Sequence, residues 1–125
     1  MRTLIVSFFL LPTFLFANPF PHFNTATVQS FEGTVSSVQN FGNVTKPTPH
    51  KQIILRTQQG EIVVDIGPEW FINQQGINLY PGAKVKIIGS LIKLNGTRYV
   101  IASSLTIDDM TYKLREENGL PVWKR

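Results

Sequence analysis

Short runs of alternating apolar and polar residues begin at Phe31 and continue to the C-terminus, and this period-two pattern predicts strands. Phe31, Gly33 and Val35 share one face of a first strand. Val38 falls on the opposite parity, which predicts a bulge near Ser36 and Ser37 where the strand bends sharply. A loop with two prolines is expected over residues 42–49. Residues 51–57 and 61–66, joined through Gln58, Gln59 and Gly60, predict a hairpin. In its second arm Ile62, Val64 and Ile66 point one way, and Val63 and Asp65 the other.

Gly67-Pro68-Glu69-Trp70-Phe71 breaks the strand pattern. Proline suits the first position of a helix, where its missing N–H is not needed, and Glu69 complements the helix dipole. With Gly76 as a stop, residues 68–75 predict one or two helical turns. Pro81-Gly82 turns into a long strand over 83–94, with a kink at Gly89 and Ser90. Asn95-Gly96 marks a tight hairpin, and residues 97–107 return. A last run over 110–115 precedes a turn at 116–119 and an apolar tail ending in Trp123.

The pattern at the N-terminus is different. Residues 4–16 form a mainly apolar run of about 13 residues behind Arg2, the length of a secretory h-region and short of the roughly 20 a membrane-spanning helix needs. Pro12 would kink a spanning helix. The expectation is a signal peptide over 1–17, cut after Ala17, and export to the periplasm. Residues 18–30, with Pro19, Pro21, Phe20 and Phe23, show neither period and predict an extended arm. Residues 31–125 then form a single domain.

Strand, strand, strand, short helix, strand, strand, then a small C-terminal hairpin is the plan of an all-β, five-stranded OB-fold-like barrel. Five short strands with one apolar face each cannot bury it as a flat sheet, so they close, and the helix plugs one end. A small sandwich or SH3-like barrel is the competing plan; the helix between the third and fourth strands speaks against it.

Several segments carry a family resemblance: residues 66–71, 79–82 with 85–89, 99–102, and 114–123, above all Gly-Pro-Glu-Trp-Phe at 67–71 and Gly-Leu-Pro-Val-Trp at 119–123. Over roughly residues 31–124 the chain resembles small exported bacterial OB-fold-like proteins and is similar to the domain of magnetosome-associated proteins. The resemblance implies a periplasmic or membrane-proximal binding domain without established catalysis. Fold alone does not decide what such a domain binds.

Composition narrows the chemistry. There is no cysteine, so disulfides, thiolate metal sites, a Cys nucleophile and c-type haem attachment are excluded. The formal charge is +4, and +3 without Arg2, the sole charged residue of the leader: mildly basic. His22 and His50 have no second ligand at metal-binding spacing. The adjacent pairs Asp108-Asp109 and Glu116-Glu117 do not make shared-proton dyads: neighbours on a strand face opposite sides, and in turns they are simply solvated. With neither a nucleophile elbow nor a phosphate loop, no enzyme and no cofactor are expected.

Two sets of residues are candidates for binding. Arg56, Lys84, Lys86, Arg98, Tyr99, Lys113 and Arg115 form either a basic stripe for an anionic ligand or a solvated outer face. Lys84 and Lys86 alternate with Val85 and Ile87 and so face outward together; Lys113 and Arg115 are expected to share a face. Trp70, Phe71 and Trp123 are either aromatic contacts for a ligand or packing elements: Trp70 and Phe71 as the underside of the plug, Trp123 as a latch. The leading functional expectation is an exported binding module for an unidentified protein, glycan or anionic ligand. Single-stranded nucleic-acid binding and an envelope assembly adaptor are the alternatives.

Overall fold

A computed structural model describes residues 22–43 and 46–124. The expected leader over 1–17 and the start of the arm lie outside the described residues. Six strands and one helix follow in order: β1 (Val28–Asn43), β2 (Lys46–Thr57), β3 (Gly60–Pro68), α1 (Glu69–Gln74), β4 (Lys84–Leu94), β5 (Thr97–Ile107) and β6 (Met110–Lys113). The sheet runs β3-β2-β1-β4-β5-β6, and a parallel pairing of β3 with β5 closes the first five strands into a barrel.

The bend of β1 makes closure possible. Its first half pairs with β4, from Val28 opposite Ser90 to Thr34 opposite Lys84. Its second half pairs with β2, beginning at Thr34 opposite Arg56. The register slips between Val35 and Ser37, so the bulge expected at Ser36 and Ser37 is present. The β4–β5 register slips between Ile88 and Gly89, and the extra residue is Ser103, so this bulge lies on β5, across from the kink expected at Gly89 and Ser90 of β4. Asn95 and Gly96 have φ of 53° and 81°, as the two-residue turn between β4 and β5 requires.

The differences from expectation have local causes. Residues 42–43 and 46–49 are strand rather than loop, with Asn43 opposite Lys46. The prolines there are tolerated because β3 reaches only to Pro68, opposite His50, so the start of β2 is an edge. Residues 25–30 are not an extended arm: Thr25–Thr27 form a 3-10 turn and Val28 already belongs to β1. Ser90, fully buried, anchors that turn by accepting from the Asn24 N–H (2.9 Å) and hydrogen bonding the Thr27 hydroxyl (2.8 Å). Helix α1 starts one residue later than expected, with Pro68 as its cap, and ends before Gly76, whose φ is 73°.

The core is formed by the inward residues of every barrel strand, including Val35, Ile53, Leu55, Ile62, Val64, Ile66, Val85, Ile87, Val100 and Leu105. Each such side chain contributes about 1.5–3 kcal/mol relative to leaving it in water. Phe71 and Ile72 on α1 join them, so the helix does plug the barrel. Trp70 does not: it is 48% exposed. Successive helical residues are separated by about 100°, so Trp70 and Phe71 do not share an underside.

The chain leaves β6 with a second change of parity. The N–H groups of both Leu114 and Arg115 donate to the Ser103 carbonyl (2.8 and 3.1 Å), and both side chains are buried. Lys113 and Arg115 therefore do not share a face: Lys113 is exposed and pairs with Glu116 at 2.7 Å. An isolated bridge between Arg115 and Pro121 then carries the tail back, ending in a 3-10 turn at Val122–Lys124.

Candidate functional site

Three of the basic residues named from the sequence meet on one outer surface. Thr34 lies opposite both Arg56 on β2 and Lys84 on β4, so the three side chains form a row across three strands. One step along, Glu32 on β1 lies opposite Lys86, which in turn lies opposite Thr106 on β5. These two rows are the floor of an open groove of about 870 Å³. Gln58 and Gln59 at the β2–β3 turn bound it on one side, and Asp108 and Asp109 at the β5–β6 turn bound it on another. Arg56, Lys84 and Lys86 are exposed, and none has a carboxylate within 4.0 Å among the described residues.

The remaining candidates are engaged elsewhere. The Arg98 guanidinium donates to the carbonyls of Gln59 (2.9 Å) and Glu61 (3.2 Å), pinning the β2–β3 turn. Tyr99 is half-buried, in the β3–β5 closing pair opposite Val63. Arg115 is 6% exposed and donates to the carbonyls of Ala102, Ile66 (3.4 Å) and Asp65 (3.5 Å), with the Asp65 carboxylate at 3.7 Å. Burial pushes its pKa below the ordinary arginine value, and the Asp65 charge works against that shift.

The aromatic candidates divide in the same way. Trp123 lies 4.9 Å from the Arg115 guanidinium, 5.1 Å from the Phe71 ring and 6.2 Å from the His50 ring, and its six-membered ring covers Gly67. It thus ties the tail to α1 and to β3. His50 bonds Asp65 at 3.0 Å, which links the same cluster to β2. Trp70 stands outside it, edge-on to Phe71 at 6.0 Å. None of the groove-lining residues is aromatic. Among the described residues no group of three or more His, Asp or Glu gathers as a metal site.

Glu32, Thr34, Asp108 and Asp109 were not singled out from the sequence as groove residues. They become neighbours of the lysines through strand register, to which a single sequence gives only the turn at Asp108-Asp109 as a clue. That turn has φ of 52° and 63°, the geometry of a tight hairpin.

A five-stranded barrel closed β1-β2-β3-β5-β4, plugged by a helix after β3 and bearing a polar groove, defines a small OB-fold domain. The chain belongs to the MamS/MamX magnetosome protein family, whose sequence profile matches residues 27–112. The Gly-Leu-Pro-Val-Trp segment at 119–123 lies beyond that match. No curated protein matches the chain. Among solved structures it is similar to Rim1, the mitochondrial single-stranded DNA binding protein of S. cerevisiae, at 13% identity and a TM-score of 0.51 over 70% of this chain and 96% of that one. It is also similar to a chain of the S. pombe Stn1-Ten1 complex, at 14% identity and a TM-score of 0.49 over 73% of this chain and 60% of that one. A third similar structure is the N-terminal domain of PriB from Thermoanaerobacter tencongensis, at 19% identity and a TM-score of 0.46 over 66% of this chain and 96% of that one. At 13% identity the likeness to Rim1 speaks for the fold alone.

Proposed function

We propose that the chain is an exported, non-catalytic binding module that takes an anionic ligand in the groove of Arg56, Lys84 and Lys86. The observation that carries this reading is the convergence of three exposed cations that no carboxylate among the described residues neutralises by direct pairing. Export rests on the apolar run over 4–16 behind Arg2. Absence of an aromatic lining weighs against single-stranded nucleic acid, whose capture by OB folds relies on bases stacked on aromatic rings.

Dextran sulfate is a suitable first probe. Neutralising the groove with Arg56→Gln, Lys84→Gln and Lys86→Gln together is expected to weaken its binding by about tenfold and by no more than about a hundredfold, since each exposed contact is worth up to about 1 kcal/mol. Lys93→Gln with Lys124→Gln, outside the groove, is expected to change it about twofold or less. Equal losses in the two variants would mean that net charge, not the groove, binds the probe. For export, N-terminal sequencing of the periplasmic protein is expected to begin at Asn18.

A further inference from the structure

The groove is not uniformly basic. Its three cations are matched in number by Glu32, Asp108 and Asp109. Glu32 stands directly across from Lys86 and yet forms no ion pair with it within 4.0 Å. The cations are also spaced apart. Lys84 and Lys86 are two residues apart on one strand, about 7 Å along the backbone. Arg56 and Lys84 are two strands apart, about 10 Å, with Thr34 between them. Gln58 and Gln59 add neutral donors and acceptors at the rim.

Resting on the anion-binding reading, we infer that the groove selects a hydroxyl-rich, sparsely charged polyanion of the acidic-glycan class, and that Glu32 is the residue that sets this choice. A chain with one carboxylate per sugar presents anions at intervals to Arg56, Lys84 and Lys86. Between those anions it presents hydroxyl groups, which donate to the carboxylates of Glu32 and Asp109. Polyphosphate and nucleic acid present closely repeated phosphates instead. They bring negative charge against Glu32 and the Asp108-Asp109 turn, with no hydroxyl of a sugar ring or no aromatic platform to compensate. Asp108 is partly engaged with the Tyr80 hydroxyl at 3.4 Å, which leaves Glu32 and Asp109 as the freer acceptors.

The test compares three probes of equal formal charge on the purified chain by calorimetry: an oligogalacturonate, an inorganic polyphosphate and an oligothymidylate. The wild type is expected to bind the oligogalacturonate at least fivefold more tightly than either of the others. Glu32→Gln is expected to weaken the oligogalacturonate and strengthen the polyphosphate, closing the gap by threefold or more. Glu32 is exposed, and a thermal melt checks that the variant folds as the wild type does. Asp109→Asn keeps a residue that accepts positive φ and, like Glu32→Gln, is expected to weaken the oligogalacturonate and strengthen the polyphosphate, by a smaller factor. A wild type that prefers polyphosphate or oligothymidylate overturns the inference, as does a Glu32→Gln variant with the same ranking of probes. If dextran sulfate binding depends on the groove cations but oligogalacturonate does not bind, the inference fails alone. If dextran sulfate binding does not depend on those cations, the anion-binding reading fails with it.

Discussion

Arg115 shows how much one side chain can tie together. Its guanidinium reaches three carbonyls on two strands, a carboxylate and the face of Trp123. Hydrogen bonds from a charged group are worth about 1.5–3 kcal/mol each, but much of that offsets the desolvation of the cation. Arg115→Met keeps the stem and removes the donors, leaving carbonyls and Asp65 without their partner. A loss of about 2–3 kcal/mol is expected in urea unfolding. Arg115→Lys is not expected to recover it, because an ammonium cannot span the same fork of acceptors. From the sequence, Arg115 reads as a second surface cation beside Lys113. What moves it inward is the shared carbonyl of Ser103, a backbone event with no side-chain signature.

Among the secondary-structure elements, β1 is the one on which closure depends, and Gly33 is where it comes closest to its neighbour. A Cβ at Gly33 would collide with the carbonyl oxygen of Arg56 and stand 3.1 Å from the Leu55 side chain. Relief would mean parting β1 from β2 at the point where β1 changes partner. Gly33→Ala is expected to cost about 3 kcal/mol, seen as a lower melting temperature. Gly76 makes the contrast: nothing lies within 4 Å of a Cβ there, and its positive φ alone sets a cost of about 1 kcal/mol for alanine. The bulge in β1 and both arms of the β4–β5 hairpin were legible in the sequence, because parity and turn chemistry are local; the bulge at Ser103 of β5 was not. The extension of β2 back to Lys46 was not, because prolines read as loop until the end of β3 is known.

At the scale of the whole molecule, two pieces of chain outside the five strands pack onto the closed barrel. The N-terminal turn hangs on Ser90, and the C-terminal tail lays Trp123 across Phe71 and Gly67. Phe23 in the first segment lies against Gly119 in the second, so the two ends meet. Trp123→Ala is therefore expected to destabilise the fold by about 2–3 kcal/mol, less than a fully buried tryptophan, in chemical unfolding. Trp70→Ala, at an exposed position, is expected to change it by about 0.5 kcal/mol or less. Both tryptophans follow a proline in the sequence and look alike there; only the folded tail separates them.

By itself the chain's order of residues determined a cysteine-free β-barrel with a helical plug after its third strand, and an outward pair of lysines on the fourth. Alternation, turn residues and helix breakers act over a few positions, so they can be read along a line. Which cations share a groove, which carboxylates stand among them and which arginine is buried were decided by tertiary structure. Those facts depend on strand register and on the fold of the tail. Both place side chains from distant parts of the chain within a few ångströms, and one residue of slip would send each of them to the other face.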